Sequence, residues 1–389
     1  MKPSKWLPLL TALFLANSQA ADNTDPANLQ DTIVKAIQPI IQQYAIPGMA
    51  VAVTVDGKHT FHYYGVASKD TQQPISSDTL FEIGSISKTF TATLAAYASD
   101  TGKLSFSDTV SKHLPALQGS QFDNISLLHL ATHTAGSLPL QVPDKINHID
   151  QLTAYLKRWQ SDFAAGTHRN YSNVSIGLLG LITAKSLNQS FESAMSQHVF
   201  SKLGLTNTYI TVPTAKMRFY AQGYTKADQP IRLQPGLLGT EAYSMKASAA
   251  DMIRFVDANM QVNKIDTPLQ RAIDATHTGY FKSGDITQDL IWEQYPYPVK
   301  LEQLQSGNGD TMIFNANPAT QLTPPQPPTT NALINKTGST NGFAAYVAYI
   351  PARKIGIVIL ANKSYPIAPR LIAANKILTR LDSMANTGR

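Results

Sequence analysis

Apolar residues in the chain recur at two periods, and each period predicts an element. Ile33, Ile37, Ile40, Ile41 and Tyr44 share one side of a 3.6-residue repeat across residues 28–45, which predicts a helix closed by Pro47-Gly48. Directly after it, Met49 to Val55 and Thr60 to Val66 flank Asp56-Gly57, a dipeptide favoured between paired antiparallel strands. The hairpin pattern returns near the other end, where Gly342 to Ile350 and Ile355 to Ala361 flank Pro351-Ala352-Arg353-Lys354 and a helix from about Pro369 to Leu381 follows. Helical spacing prevails between them: Phe90, Leu94 and Tyr97 share a face before Gly102, and Ile176 to Leu187 forms another apolar run. Pro324, Pro325, Pro327 and Pro328 predict an extended loop leading to a strand near Leu333. No repeat or domain linker interrupts the pattern. The fold class expected is α+β, an antiparallel sheet built from both termini and flanked by helices, with a helical insertion in the middle.

Composition narrows this picture. A chain of 389 residues with 43% apolar and 15% charged residues has the material for a large core and is not disordered by composition. Lys2 and Lys5 precede the apolar run Leu7 to Ala16, which ends in Asn17-Ser18-Gln19-Ala20. This reads as a signal peptide over residues 1–20, too short to span a bilayer permanently, so the mature form is expected to begin near Ala21 and to need no membrane. Cysteine is absent, which excludes a disulfide framework and thiolate chemistry. The net charge of +6 includes the two leader lysines, and no Lys/Arg run points to nucleic acid.

Three short motifs carry candidate chemistry. Ser85-Ile86-Ser87-Lys88 is the only S-x-x-K, and on a helix its serine and lysine lie one turn apart on the same face. A serine hydroxyl is a weak nucleophile until a neighbour takes its proton, and a buried lysine beside other cations has a lowered pKa suited to that task. Gly84 suits a tight strand-to-helix turn that leaves Ser85 near a helix N-terminus. Lys336-Thr337-Gly338-Ser339 follows the apolar strand Ala332 to Ile334. It offers a cation, two hydroxyls, a backbone open to close approach, and an N–H at Ser339 to share an oxyanion with that of Ser85. Tyr171-Ser172-Asn173 contains the only one of sixteen tyrosines with Asn two residues later. Two ammonium groups beside that phenol favour its phenolate, and Asn173 supplies both a donor and an acceptor for an amide. Taken singly, each motif also reads as ordinary structure: an exposed helix, a turn with a solvated lysine, a helix cap.

Together, in this order and in an exported chain, the motifs resemble class C (cephalosporinase-type) serine β-lactamases along nearly the whole mature length. Further segments carry the resemblance, among them His133-Thr134-Ala135-Gly136, Leu138 to Pro143, Glu241-Ala242-Tyr243 and Gly356 to Lys363. The resemblance implies a β-lactamase/DD-peptidase-like fold, with an α/β lobe from residues 21–82 and 225–389, a helical lobe from 83–224, and the site in the cleft between them. It implies Ser85, Lys88, Tyr171 and Lys336 as catalytic groups and the N–H groups of Ser85 and Ser339 as the oxyanion hole. Gln141, Asn173, Tyr243, Thr337, Ser339 and Arg370 are implied to bind substrate. The implied partner is a small β-lactam hydrolysed in the periplasm by a monomer, with no metal and no cofactor. Two positions depart from much of the family, Ser364 and Ile367 standing where asparagine is common, and relatives also vary at the position of Asn335.

Rival readings keep their place. A DD-peptidase or esterase on this scaffold uses the same three motifs, and a non-hydrolysing β-lactam-binding protein retains Ser85 but accumulates the acylated form, against which Tyr171 and Lys336 speak. The class A pattern needs S-D-N and a separate water-activating glutamate, and no segment stands out as its source. His129 and His133 have the i, i+4 spacing of a zinc pair but lack the glutamate of H-E-x-x-H, so a core or capping role is favoured. Gly338-Ser339-Thr340-Asn341-Gly342 departs from G-x-S-x-G at Thr340.

Overall fold

A computed structural model describes residues 26–387, so the leader expected at residues 1–20 lies outside the described residues. Helix α1 (Pro26–Tyr44) ends where Ala45 turns to a positive φ. It is followed by strands β1 (Gly48–Val55) and β2 (Lys58–Gly65). Both residues of the connecting Asp56-Gly57 turn have positive φ, 48° and 79°, the backbone that gives a two-residue hairpin the twist of its strands. Helix α2 (Ser87–Asp100) and helix α3 (Asn173–Ser186) lie in the middle of the chain, and α4 (Ala249–Asn259) returns it to the sheet. Strands β3 (Gly279–Ser283), β4 (Ile286–Gln288), β5 (Glu293–Pro296), β6 (Thr320–Gln326), β7 (Ala332–Ser339), β8 (Ala344–Ile350) and β9 (Ile355–Ala361) complete the sheet before α5 (Ile367–Thr387).

All nine strands form one sheet in the order β6-β3-β4-β5-β7-β8-β9-β1-β2, with every neighbouring pair antiparallel. β1 pairs with β9 from Met49 opposite Ala361 to Val55 opposite Ile355, so segments from the two ends of the chain meet inside one sheet, as the apolar pattern predicts. Central strands buried on both faces read as continuous apolar runs. In β1, Ala50 and Ala52 join the core that also holds Phe90 of α2 and Phe255 of α4. Met49, Val51 and Val53 face the opposite core, formed with Ile37 of α1 and Ile377 of α5. A third, mostly helical core gathers Leu130, Leu156, Leu179 and Ile182.

The closing helix runs beyond the expected Pro369 to Leu381, and three other differences from the sequence pattern have a local physical reason. Lys336-Thr337-Gly338-Ser339 is not a turn after an apolar strand but the second half of β7, because β8 pairs with it as far as Ser339 opposite Ala344. The proline segment is not wholly a loop. Thr320–Gln326 forms the outer strand β6, which pairs only with β3 and shifts register between Gln321 and Gln326. Proline lacks the N–H that an inner strand needs, and an edge strand tolerates its loss. Helix α3 begins at Asn173 rather than near Ile176 because the Ser172 hydroxyl accepts the Ser175 N–H as an N-cap, drawing the polar tripeptide into the helix start.

Candidate active site

Ser85 occupies the 3-10 turn Gly84–Ile86 that joins the short strand Phe81–Glu82 to α2. This turn rests directly on β7. A Cβ on Gly84 would stand 2.6 Å from the Ser339 nitrogen, and one on Gly338 would stand 2.0 Å from the Ile83 carbonyl oxygen, so each glycine leaves room for the backbone of the facing segment. Gly84 also has φ +52°, which strains any residue with a side chain. Gly84→Ala is expected to lower stability by about 2 kcal/mol or more, read as a reduced midpoint in urea unfolding.

Lys88 follows on the same face, fully buried, its Nζ donating to Ser85 Oγ at 2.9 Å and to the Ala242 carbonyl at 3.0 Å. Burial pushes its pKa down, and Lys336 pushes the same way, against the raising influence of Tyr171 and Glu293. Tyr171 sits just before the N-cap of α3, with the Lys88 and Lys336 Nζ atoms each 5.1 Å from its ring centroid and the Arg169 guanidinium carbon 5.7 Å away. Burial alone raises a phenol's pKa. Here Lys336, Lys88 and a hydrogen bond with Ser85 outweigh it and bring Tyr171 down to about 8.

Lys336 is held on β7 by Glu293 of the adjacent β5, Nζ to Oε1 3.4 Å. Glu293 also accepts from Arg169 at 2.8 Å, and Arg169 donates further to Gln288 and to the Met312 carbonyl. The buried charges therefore form one network, in which removing a partner strands the rest without solvent. Sequence reasoning missed Arg169, Gln288 and Glu293. The available signal was a lone carboxylate after the apolar run Leu290-Ile291-Trp292 in a chain poor in charge. Glu293 is tied to two cations, unlike a glutamate left free to activate water.

These groups open onto a cleft of about 660 Å³. Ser85, Tyr171, Asn173, Lys336, Thr337 and Ser339 line it, and the Asn173 Oδ1 is buried without a partner. Ser364 and Ile367 line it as well, alongside the apolar side chains of Ile313 and Phe314. Asn335, just before Lys336, does not line the cleft and donates to the Glu293 carbonyl at 3.0 Å. Arg370 is buried in the wall and donates to the carbonyls of Gly338, Ala345 and Tyr365 and to Ser339 Oγ, so it braces the end of β7. Two expected residues stand apart. Gln141 is exposed beyond Leu140 and is not among the lining side chains, and Tyr243 follows the turn Gly239–Ala242 with its ring 6.0 Å from Lys88 Nζ. His129 and His133 do not converge as a metal pair: His129 Nδ1 accepts the Ser126 N–H of a capping box and His133 Nδ1 accepts the Ser172 N–H.

A hydroxyl bonded to a buried lysine, with a low-pKa phenol beside it, is the equipment of a serine enzyme that works by acyl transfer. The comparisons with known proteins agree. The β-lactamase family model matches residues 33–380. A β-lactamase of Pseudomonas fluorescens is 51% identical over 355 residues, 91% of this chain and 99% of that protein. A class C β-lactamase solved in complex with cefoxitin is 52% identical, with a TM-score of 0.89 over 91% of this chain and 99% of that one. A Pseudomonas syringae structure described as a β-lactamase/D-alanine carboxypeptidase is 49% identical, with a TM-score of 0.89 over 90% of this chain and 99% of that one. The chain belongs to the β-lactamase family, among its class C serine enzymes.

Proposed function

We propose that this class C serine β-lactamase opens the lactam amide of cephalosporins and penicillins through an ester on Ser85. The observation that carries the reading is the 2.9 Å bond from Lys88 Nζ to Ser85 Oγ beside a phenol with a pKa of about 8. Ser85 Oγ attacks the lactam carbonyl while Lys88 and Tyr171 share its proton, and the developing oxyanion rests on the N–H groups of Ser85 and Ser339. The carbon–nitrogen bond then breaks and the ring nitrogen receives a proton. Tyr171 next helps a water attack the ester, which frees the ring-opened acid and restores the Ser85 hydroxyl. Lys336 stabilises the phenolate and, with Thr337, holds the substrate carboxylate. Asn173 and Gln141 contact the side-chain amide, Gln141 only after its loop turns inward. Tyr243 flanks the acyl end, and Arg370 acts near the carboxylate end by holding Ser339. The site lies between a lobe of residues 21–82 and 225–389 and a helical lobe of residues 83–224.

Export to the periplasm, with cleavage after Ala20, and a monomeric state belong to the same reading. The relatives are bacterial β-lactamases, and among the described residues no helix is long and apolar enough to cross a membrane.

A second reading, a D-alanine carboxypeptidase, has the support of the Pseudomonas syringae neighbour. Both activities acylate the serine, and they part at release. The purified enzyme is expected to turn over a chromogenic cephalosporin and to shed a fluorescent penicillin label within seconds. A label that persists for many minutes with no cephalosporin turnover favours the peptidase.

A further inference from the structure

His133 touches the reacting groups from a loop to which the mechanism above gives no task. It is buried and holds φ +59°, a conformation uncommon for a residue with a Cβ. Its Nδ1 accepts the Ser172 N–H at 3.2 Å, and its carbonyl accepts the Asn170 N–H at 2.8 Å, so both neighbours of Tyr171 in the chain are tied to this one residue. Between the two ties the imidazole lies against the phenol ring, centroids 4.3 Å apart and planes inclined by 37°. A backbone N–H only donates, so Nδ1 bears a lone pair and the proton of the neutral ring is on Nε2.

The charged groups that face the ring are Arg169, Lys88 and Lys336. Burial foremost, and then these three cations, hold His133 well below the ordinary histidine range. Protonation would forfeit the Ser172 bond and add another positive charge beside them. The ring is therefore a neutral brace at neutral pH.

We propose that His133 is a positioning residue for β-lactam hydrolysis, clamping Tyr171 at both flanking amides and along its ring so that the phenol oxygen stays on Ser85 between the two ammonium groups. The inference rests on the role given to Tyr171 above. His133→Phe keeps a flat ring and removes the acceptor. His133→Asn keeps an acceptor, removes the ring and tolerates positive φ, so it remains informative where phenylalanine strains the loop.

The test is a double-mutant cycle with Tyr171→Phe, read as kcat, KM and the pH dependence of kcat on a chromogenic cephalosporin, with folding checked by thermal unfolding. His133→Phe is expected to lower kcat about tenfold, with KM changed by less than about twofold, because an interaction acting only on the reacting geometry is lost. The rising pH limb moves, His133→Asn recovers part of kcat, and neither variant lowers the rate further once Tyr171 is Phe. Folded His133 variants with native kcat and pH profile, while Tyr171→Phe is impaired, overturn the brace and leave the role of Tyr171 standing. A His133 loss of equal size in both backgrounds also overturns it, because His133 then acts on something other than Tyr171. A near-native Tyr171→Phe enzyme removes the premise itself, and the brace with it.

Discussion

Ser85→Ala is expected to lower kcat for a chromogenic cephalosporin by roughly 10⁶-fold, the scale measured when a serine nucleophile is deleted from another hydrolase. The loss should fall on chemistry and not on folding. Ser85 sits at the cleft surface, its hydroxyl carries no apolar packing, and Lys88 keeps its bond to the Ala242 carbonyl when that hydroxyl is gone. Thermal unfolding of the variant should stay within a few degrees of the parent, a shift equivalent to about 1 kcal/mol or less. Substantial hydrolysis by a folded Ser85→Ala enzyme would place the covalent step elsewhere.

Tyr171→Phe should cost less but still a great deal, roughly 10²–10⁴-fold in kcat, the usual contribution of a positioned proton-transfer group. The ring remains and only the oxygen is lost, so the contacts with His133 and the two lysines are largely conserved. What disappears is the phenol oxygen, whose ionised form offsets two buried ammonium groups as pH rises through about 8. The pH dependence supplies a second signature. The pKa of Tyr171 is lowered to about 8, its base form gains population as pH rises through that value, and the parent's rate should climb across the same interval. The phenylalanine variant should lose that limb, and a pH profile identical to the parent's would mean that another base operates.

Much of the sheet was legible because its central strands are apolar on both faces and its hairpin is built on Asp56-Gly57, whose positive φ values suit that turn. The limits appeared where polar residues occupy regular structure. β7 carries Asn335, Lys336 and Thr337, and only pairing with β5 and β8, invisible in a local pattern, keeps that stretch a strand. Ser85, Lys88, Tyr171 and Lys336 were legible because short motifs contain them whole. Arg169, Gln288 and Glu293 were not, since each is a single residue whose importance arises from meeting the others in a buried network. The i, i+4 spacing of His129 and His133 makes a metal pair only where one helix runs through both, and the core or capping role read from the sequence does not by itself point to Tyr171. The helix Leu127–Ala131 ends two residues before His133, and the loop aims the ring at Tyr171.

The seating of the Gly84–Ile86 turn on β7 bears on how the reactive hydroxyl comes into being. A polypeptide made from its amino end exposes Ser85 long before the residues of β7 exist, and until β7 through β9 pair onto β1 the serine lacks the Ser339 N–H and the Lys336 ammonium that the proposed mechanism uses. Long-range closure of this kind is slow relative to local helix formation. The proposed acyl transfer therefore waits on the last ribbon of the sheet, however early the helices form.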